Sequence, residues 1–367
     1  MKIFNSRLVR LAFIFDPLWR LLGLFLNLRP YHSKLSPKTI LVFDFHLIGD
    51  IVLLMPFLQV LREAYPGARI VLVAGPWARE LLCGEKFVNE IISFSAPWVK
   101  YVQGWRGWLM SWRLLMRLRR ESWDMGIEIR GDIRQILLLA LAGAKCRVGF
   151  NFTGGGALLT DVIPDDGHFY HLAVHHQRVA EYLGIWLAGR EYLPILRLTD
   201  EEIKQIKDKP PYVGIHLGAS LPLKKFSSED AGNLIKEVAE STSLPIILFS
   251  GPGDMEYTKE LIHAIDLSLR NRLDIWEGTL RAFVVMASRA DHFFCMDSGP
   301  AHIVAALGIP VTVFFGPTES EYVKPLGKNI QIVENKDVIC RPCDQIHCTN
   351  KVKKFCMLGL VKKCKKL

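Results

Sequence analysis

The chain has 367 residues, and its composition of 50% hydrophobic and 23% charged residues excludes a disordered or fibrous protein. This length predicts two domains of ordinary size rather than one. The formal net charge of +9 favours anionic partners, namely phosphorylated sugars, nucleic acid or an acidic membrane surface. Since the sequence contains no recognised nucleic-acid-binding motif, nucleic acid is not expected among them.

The first segment, residues 1–35, is basic, and its apolar character is repeatedly interrupted. Its longest unbroken apolar run extends from Leu21 to Leu26, whereas a membrane-spanning helix needs about 20 apolar residues. Asp16 and Pro17 break the remainder and no small-residue cleavage site follows, so no signal peptide is predicted. The arginines of the segment are Arg7, Arg10, Arg20 and Arg29. We expect an amphipathic helix that lies either on a membrane surface or on the first domain.

Strand and helix patterns alternate through residues 36–192. The predicted strands are Thr39–Phe45, Arg69–Ala74, Met125–Ile129 and a short one from Arg147. The predicted helices are Ile51–Ala64, Asp132–Ala142 and His171–Leu187. Such alternation is typical of a doubly wound parallel sheet, and it predicts a first Rossmann-like domain over these residues.

A charged, proline-flanked stretch at residues 193–210 predicts a linker, and the alternation then resumes in a second domain at 211–335. The second domain has predicted strands at Tyr212–Leu217, Leu244–Ser250, Asp291–Met296 and Pro310–Phe315, and predicted helices at Ser228–Ser241, Met255–Ala264 and Pro300–Leu307. Residues 336–367 form a Cys- and Lys-rich tail. We therefore expect an α/β protein with two Rossmann-like sheets that face a central ligand-binding cleft.

An acidic residue, Asp50, interrupts the apolar sequence FDFHLIGDIVLLMPFL where the first strand passes into the first helix. One interpretation is structural, because Asp is a common N-cap of a helix such as the one predicted from Ile51. The other is chemical, because a carboxylate at the carboxyl end of a buried strand is well placed to act as a general base. The residues by themselves leave both interpretations open.

The sequence MDSGPAHIVAALGIPVTVFFGPT predicts a turn that binds a phosphate and a sugar. An apolar strand ends at Asp297, the chain turns through Ser298 and Gly299, and Pro300 marks a helix start, where free N–H groups attract phosphate. Ser298 and His302 can add side-chain donors, and Asp297 can accept hydrogen bonds from sugar hydroxyls. Helix capping explains Asp297 or Ser298 alone but not the whole set.

Two further strand-to-helix turns carry charged residues. HLGASLPLKKF places a glycine turn and then Lys224 and Lys225 after a predicted strand, and a lysine there can neutralise a diphosphate. SGPGD places Asp254 at a helix start, where it can cap the helix or bind a ribose diol. Taken alone, solvent-facing lysines and a capping aspartate are the simpler interpretation of these two turns.

The sequence WRGWLMSWRLLMRLRR combines tryptophans with five arginines. Helical spacing places Trp105, Trp108, Trp112 and Leu115 on one stripe. Such a stripe is typical of a helix face that packs on the core, whereas tryptophan with arginine also suits a membrane interface with anionic groups. Both interpretations remain open.

Four cysteines of the tail have the spacing C-x2-C-x4-C-x7-C: Cys340, Cys343, Cys348 and Cys356. Thiolates at this spacing predict a candidate structural zinc or iron site. The alternative is a set of reduced cysteines with a structural role, as expected for a cytoplasmic protein. Beyond Asp344 the tail has seven lysines and no acidic residue, which favours contact with an anionic surface.

Taken in order, the motifs IGD, EIRGDIR, HLGAS with KKF, SGPGD and DSGPAH with FFGPT resemble glycosyltransferase family 9, the lipopolysaccharide heptosyltransferases, over residues 39–330. The resemblance implies the GT-B fold and an inverting transfer of heptose from ADP-heptose to the lipopolysaccharide inner core, meaning Kdo-lipid A or a heptosylated core. The sequence has no D-x-D triplet of the kind that metal-dependent glycosyltransferases use. No cofactor is therefore expected for catalysis.

The resemblance also implies roles for individual residues. Asp50 would be the catalytic base, Lys224 would bind the donor diphosphate, and Asp254 would occupy an acidic ribose-binding position. Residues 297–302 would hold the sugar and the phosphates. The spacing LPLKKF leaves Lys225 as an alternative to Lys224, which is favoured because it stands two residues before the aromatic residue.

On the acceptor side, Arg130 and Arg134 of EIRGDIR are candidate contacts for acidic Kdo sugars. The expected location is the cytoplasm, with peripheral association at the inner face of the inner membrane. One alternative function is transfer from another nucleotide sugar, or to a protein acceptor, by an enzyme of the same fold. A second alternative is an inactive nucleotide- or metal-binding interaction module.

Overall fold

The computed structural model of the protein describes residues 17–19, 21, 36–99, 105–168, 170–189, 191–251, 253–265, 267–343 and 347–364. The chain divides into two compact units between Tyr192 and Leu193. None of the helices that these residues form is long and apolar enough to cross a membrane. The arginines predicted for the amphipathic segment, residues 7, 10, 20 and 29, lie outside the described residues, although Trp19 packs beside Ile136 of the first unit.

The first unit contains a six-stranded parallel sheet with the order β3-β2-β1-β4-β5-β6. Its strands are β1 (Thr39–Asp44), β2 (Arg69–Ala74), β3 (Glu90–Ser93), β4 (Met125–Glu128), β5 (Cys146–Gly149) and β6 (Asp161–Val162). Its helices are α1 (Ile48–Ala64), α2 (Ala78–Leu81), α3 (Trp105–Leu118), α4 (Ile133–Leu141) and α5 (Leu172–Tyr182).

The core of the first unit explains why its central elements read as continuous apolar runs. Ile40–Phe43 of β1 and Ile70–Ala74 of β2 are completely buried, as expected for parallel strands covered on both faces. Helix α1 is buried from Ile51 to Leu58, and it packs against α5. Helix α5 ends five residues before the predicted Leu187, because the chain turns at Gly184 with φ 75°.

The second unit contains another six-stranded parallel sheet, with the order β12-β11-β10-β7-β8-β9. Its strands are β7 (Tyr212–His216), β8 (Ile246–Phe249), β9 (Leu273–Trp276), β10 (Ala290–Met296), β11 (Val311–Phe315) and β12 (Ile330–Glu334). Its helices are α6 (Asp200–Ile206), α7 (Ser228–Ser241), α8 (Met255–Ala264), α9 (Leu267–Arg270), α10 (Leu280–Ala287), α11 (Gly299–Ala306), α12 (Ser320–Val323) and α13 (Leu360–Lys363).

The stretch predicted as a linker, residues 193–210, contains helix α6. Thr199 caps this helix by accepting a hydrogen bond from the backbone N–H of Glu202. The Glu202 carboxylate in turn accepts two hydrogen bonds from Arg281, from Nε at 2.7 Å and from Nη2 at 2.6 Å. These bonds connect α6 to α10. The stretch is therefore a packed part of the second unit.

The tail also packs on the second unit. Cys356, Met357, Leu360 and Val361 are buried in the same hydrophobic cluster as residues of β7, β8 and α7. Arg341 donates hydrogen bonds to the Thr318 carbonyl (2.9 Å) and to the Glu334 carboxylate (2.7 Å). Residues 336–343 and 347–364 therefore continue the fold of this unit.

The predicted zinc or iron site at Cys340, Cys343, Cys348 and Cys356 is not supported. Within the described part of the chain, no group of three or more His, Cys, Asp or Glu side chains is arranged to hold a metal ion. Two of the sulfurs accept hydrogen bonds from the protein, Cys340 from the Asn350 amide and Cys348 from the Lys354 N–H, each at 3.4 Å. Burial, and then the neighbouring thiols of Cys343, Cys340 and Cys348, raise the pKa of Cys356.

Both sheets have the Rossmann strand order, written 3-2-1-4-5-6 when each unit is numbered from its first strand. In the first unit, β2 and β3 are added on one side of β1, and the chain then crosses back to add β4, β5 and β6 on the other side. The second unit makes the same crossing between β7 and β10. In open parallel sheets, ligands bind outside the carboxyl ends of the strands at such a switch point. These two edges are therefore the places where functional side chains are expected.

Candidate functional site

At the edge of the first sheet, Asp50 lies in the first turn of α1. The helix begins at Ile48 rather than at the predicted Ile51, so Asp50 is its third residue and not its N-cap. The Asp50 carboxylate nevertheless accepts a hydrogen bond from the N–H of Leu47, the N-cap residue, at 2.8 Å. Both interpretations of Asp50 therefore remain compatible with its position, because one oxygen caps the helix start while the other is available for a different contact.

That other contact is Arg130, which follows β4. Its Nη1 donates to Asp50 Oδ1 at 3.1 Å, and the two side chains are only 10% and 14% exposed. The pair joins residues that follow the two strands flanking the switch point, one in helix α1 and one in the loop after β4. A carboxylate bonded to a guanidinium in a sheltered position is held in one place.

Glu128, the last residue of β4, fixes the loop that carries Arg130. Its carboxyl oxygens accept from the N–H of Arg130 (3.0 Å) and from the N–H of Gly131 (2.6 Å). Gly131 has φ 67°, and a Cβ there would collide with Phe152, so this turn requires glycine. Burial, and then the charge of Asp132, raise the pKa of Glu128 well above its ordinary value.

Sequence reasoning missed a second acidic residue at this edge, Asp44. It is completely buried at the end of β1, where it accepts from the His46 N–H at 3.1 Å and lies 3.2 Å from His46 Nδ1. Burial acts to raise the pKa of Asp44, but the His46 hydrogen bond and the nearby positive charges outweigh it and lower that pKa. The available signal was a charged residue at the end of a strand that is otherwise wholly apolar.

Behind this edge, His176 of α5 is also fully buried. Its Nδ1 lies 3.1 Å from the Leu53 carbonyl, so the ring is fixed against α1. Burial lowers the pKa of His176 to about 4, and the imidazole is therefore neutral at physiological pH. A neutral ring adds no positive charge next to the Asp50–Arg130 pair.

The second predicted acceptor residue, Arg134, does not share the Asp50 contact. Its Nε donates to the carboxylate of Asp132, the N-cap residue of α4, at 2.9 Å. Its guanidinium also lies over the ring of Trp98, 5.3 Å from the centroid. With 44% of its side chain exposed, Arg134 is accessible to a solvent-borne anion.

In the second unit, both lysines of LPLKKF form ion pairs with acidic residues that the sequence assigned to the donor site. Lys224 Nζ lies 2.7 Å from Asp297 Oδ2, and Lys225 Nζ lies 2.5 Å from Asp254 Oδ1. Asp254 follows β8 and Asp297 follows β10, so the lysine loop after β7 contacts the turns on both sides of its own strand. The structure thus brings three predicted donor residues, Lys224, Asp254 and Asp297, together with Lys225, the alternative to Lys224.

Asp254 approaches the backbone of the turn that follows β7. A Cβ at Gly218 would lie 2.0 Å from Asp254 Oδ2, so only glycine allows this approach. His216, the last residue of β7, is buried beside it, and burial lowers the pKa of His216 to about 4 despite the opposing effect of Asp254. Asp254 does not cap α8 with its side chain, which leaves the carboxylate to Lys225 and to a ligand.

Helix α11 begins at Gly299 with Pro300 in its first turn, as the sequence predicted for a phosphate-binding turn. Ser298 occupies the N-cap position, but its hydroxyl donates to the Met296 carbonyl at 3.1 Å instead of capping the helix. The alternative that Ser298 serves as a side-chain cap is therefore wrong. His302, one turn further on, is 6% exposed.

The tail contributes contacts to this edge that the sequence did not predict. Lys354 Nζ donates to the backbone carbonyl of Lys225 at 3.1 Å. Met357 packs against Gly316 of the FFGPT turn so closely that a Cβ on this glycine would lie 2.0 Å from the Met357 sulfur. The tail therefore supports both the lysine loop and the turn after β11.

Comparison with known proteins identifies the family of the chain. The sequence model described as glycosyltransferase family 9 (heptosyltransferase) matches residues 111–354. Lipopolysaccharide heptosyltransferase 2 of Escherichia coli K12 is 24% identical over 309 residues, which cover 80% of this chain and 87% of that protein.

Solved structures give the same result for the fold. A glycosyl transferase family 9 protein from Veillonella parvula superposes with a TM-score of 0.70 at 21% identity, covering 83% of this chain and 88% of that one. E. coli heptosyltransferase WaaC with ADP-2-deoxy-2-fluoro heptose superposes with a TM-score of 0.63 at 18% identity, covering 80% and 92%. The predicted α/β fold with two Rossmann-like sheets, as in GT-B enzymes, is confirmed.

Proposed function

The chain belongs to glycosyltransferase family 9, the heptosyltransferases, and from this premise we propose that it transfers heptose from ADP-heptose to the inner core of lipopolysaccharide. The relative from E. coli is a lipopolysaccharide heptosyltransferase, and the WaaC structure holds an ADP-heptose analogue. The proposed acceptor is Kdo-lipid A or a core that already carries heptose. The observation that carries the proposal is the sheltered Asp50–Arg130 pair at the switch point of the first sheet.

The proposed reaction inverts the anomeric carbon in a single displacement. The acceptor hydroxyl oxygen forms a bond to that carbon while the bond from the carbon to the ADP oxygen breaks. Asp50 takes the hydroxyl proton, and ADP leaves with the bonding electrons. Each Asp50 oxygen already accepts one hydrogen bond and has a second lone pair for the acceptor hydroxyl. General-base help of this kind is worth about 10²–10⁴ in rate.

We assign the donor diphosphate to Lys224, with Lys225 as the neighbouring cation. Each lysine is paired with a carboxylate, and a diphosphate with more charge can replace Asp297 and Asp254 as the partner. The N–H groups at the start of α11 add donors for the same charge. Released carboxylates are then available to sugar hydroxyls, Asp254 for the ribose and Asp297 for the heptose.

The departing diphosphate is proposed to be stabilised without a metal ion. The sequence contains no D-x-D triplet, whereas it supplies two lysines and a helix N-terminus at one edge of the second sheet. Preorganised cations and N–H groups of this kind can stabilise developing charge on a leaving group.

The acceptor is joined to a lipid, so the proposed location is the inner face of the inner membrane, with peripheral association. On the acceptor side, the half-exposed Arg134 guanidinium is the proposed contact for an acidic Kdo carboxylate. Arg130 is already bonded to Asp50, and we therefore assign it chiefly to the base.

The experiment is an assay of purified protein with ADP-heptose and Kdo-lipid A in the presence of EDTA, read by the mass of the acceptor. A gain of one heptose supports donor, acceptor class and metal independence together. Activity that appears only after Mg²⁺ or Mn²⁺ is restored would overturn metal independence alone. Transfer from UDP- or GDP-sugars but not from ADP-heptose would overturn the proposed identity of the donor. Binding of ADP-sugars without any transfer would favour the alternative of an inactive nucleotide-binding module.

A further inference from the structure

Helix α3 exposes a set of large apolar side chains that the proposed reaction does not use. Trp105 is 72% exposed, Trp108 65% and Trp112 60%. Leu109 and Met116 are 39% and 42% exposed. We propose that this face, which we call the tryptophan stripe (Trp105, Trp108, Leu109, Trp112 and Met116), inserts into the surface of an anionic lipid bilayer and holds the first unit there.

The stripe is one continuous face of the helix. At 3.6 residues per turn its five side chains fall within roughly 100° of the circumference. The adjoining face is buried, and it consists of Gly107, Ser111, Leu114, Leu115 and Leu118. Leu115, which the sequence pattern placed with the tryptophans, belongs to this buried face. The interpretation that the tryptophans pack on the core is wrong.

The buried face holds the helix firmly, so the stripe is presented on a rigid element. Gly107 lies so close to the chain at Pro97 that a Cβ on it would be 2.5 Å from the Pro97 Cβ. Leu114, Leu115 and Leu118 enter the core cluster of the first unit with Trp123. Insertion of the stripe therefore requires no unfolding of α3.

The charge beside the stripe identifies the partner. No acidic residue occurs between Glu90 and Glu121, whereas that stretch has five arginines and one lysine. Arg106 and Arg113 lie seven residues apart on one flank of the stripe, and both are exposed. A helix with an apolar face bordered by cations lies in the plane of an anionic bilayer, with tryptophan rings at the level of the headgroups.

The same charge disfavours a second copy of the chain as the occupant. In a two-fold symmetric dimer the same patch of both copies meets itself, so the arginine flanks of two stripes would approach each other. Like charges at an interface are unfavourable. Phosphate groups of lipids complement these arginines instead, because a guanidinium binds phosphate through two parallel hydrogen bonds.

The position of the stripe relates it to the candidate base of the same unit. In a parallel sheet, the helix that follows a strand starts at the carboxyl edge, and α3 follows β3. The ring of Trp108 lies 6.3 Å from that of Trp98, and Arg134 covers the Trp98 ring. The exposed tryptophans therefore start at the edge that carries Asp50 and Arg134. This inference rests on the proposed function where it concerns presentation of a lipid-linked acceptor to that edge.

The first test measures binding of the full chain to vesicles of phosphatidylcholine with and without phosphatidylglycerol. The Trp105→Ala/Trp108→Ala/Trp112→Ala variant is expected to bind the anionic vesicles at least about 10-fold more weakly than the unmodified protein. Trp186→Ala is the matched control, because Trp186 lies in the same unit and is 78% exposed outside the stripe. It is expected to bind as the unmodified protein does.

Charge is tested separately. Arg106→Gln/Arg113→Gln is expected to weaken binding to anionic vesicles and to reduce its dependence on salt, with an unchanged melting temperature. Undiminished vesicle binding by the triple tryptophan variant would overturn the proposal. A concentration-dependent dimer of the unmodified protein, abolished in that variant, would also overturn it and assign the stripe to a second copy.

The second test separates this inference from the proposed function. Heptose transfer is measured to an acceptor embedded in vesicles and to the same oligosaccharide without its lipid. The triple variant is expected to lose about 10-fold in kcat/KM on the embedded acceptor and nothing on the lipid-free one. Equal losses on both would overturn the stripe as a docking surface. If the unmodified protein transfers no heptose, the proposed function fails, and the vesicle-binding result still decides the inference.

Discussion

The carboxyl edges of the two sheets carry similar groups but hold them with different chemistry. In the first unit, the carboxylate of Asp50 is held by the Arg130 guanidinium and by a backbone N–H. In the second unit, the carboxylates of Asp254 and Asp297 are held by the ammonium groups of two lysines. The strand order and the position at the switch point are the same in both units.

The difference matches what each edge has to do in the proposed reaction. A general base has to stay in place, and Arg130 is fixed because Glu128 holds the backbone of its loop. Counter-ions of a donor diphosphate have to exchange partners when the donor arrives and leaves. Lysine suits this exchange, since its charge is a single point on a flexible stem, whereas arginine forms a rigid fork.

The strongest test concerns the carboxyl edge of the first sheet, where Arg130 holds the candidate base in place, and it is Asp50→Asn. Asparagine keeps the shape and the oxygen that accepts from Leu47, but it cannot take a proton, so kcat is expected to fall by about 10²–10⁴. Binding of ADP-heptose, measured by calorimetry, is expected to stay unchanged because the donor residues belong to the other unit. Unchanged turnover would leave Asp50 with only its role at the helix start.

Arg130→Met tests whether this arginine positions the base or binds the acceptor. A charge-assisted hydrogen bond contributes about 1.5–3 kcal/mol, so kcat is expected to fall by roughly 10- to 100-fold while the acceptor KM changes little. Arg134→Met is the matched control, and it is expected to raise the acceptor KM with a smaller effect on kcat. The reverse pattern would make Arg130 the acceptor contact that the sequence predicted.

At the carboxyl edge of the second sheet, the expected exchange of lysine partners is tested by Lys224→Met and Lys225→Met. Loss of a charged contact to the diphosphate is expected to weaken ADP-heptose binding by about 10-fold or more in Lys224→Met, and by less in Lys225→Met. An equal or larger effect of Lys225→Met would transfer the diphosphate role to Lys225.

A stability control accompanies this measurement, because Lys224→Met leaves the nearly buried Asp297 carboxylate without its cation. The double variant Lys224→Met/Asp297→Asn removes both charges and is expected to recover the melting temperature. It is not expected to recover donor affinity. Recovery of affinity in the double variant would mean that the single variant had only been misfolded.

The sequence predicted the central strands and most of the helices between them, because their side chains repeat with clear periods in long apolar runs, but it did not predict α10. It did not predict β3, β6, β9 and β12, which lie towards the outer parts of the two sheets. β9, with Leu273 and Trp276 only half-buried and two exposed residues between them, has no continuous apolar run. Short strands that are partly exposed lack the pattern by which buried strands are recognised.

For the site, the sequence predicted residues but not their partners. The contact between Asp50 and Arg130 joins positions 80 apart, and that between Lys225 and Lys354 joins positions 129 apart. Periodicity reports only neighbours along one strand or helix, whereas these pairs depend on which strands are adjacent. The tail was predicted as a separate segment because its cysteines and lysines look like surface chemistry, although its apolar residues are buried in the second unit.

The smallest predicted effect concerns the support that the tail gives to the lysine loop at the carboxyl edge of the second sheet. Lys354, with φ 56°, donates to the Lys225 carbonyl, and its removal by Lys354→Met takes away one hydrogen bond to the lysine loop. Such a bond is worth about 0.5–1.5 kcal/mol, so the donor KM is expected to rise by roughly 2- to 10-fold with kcat little changed. Lys353→Met, at the exposed neighbouring position, is the control and is expected to have no effect. Equal behaviour of the two variants would show that the tail adds only general positive charge, whereas a rise in the donor KM confined to Lys354→Met would mean that the lysines exchange partners on a loop that the tail holds in place.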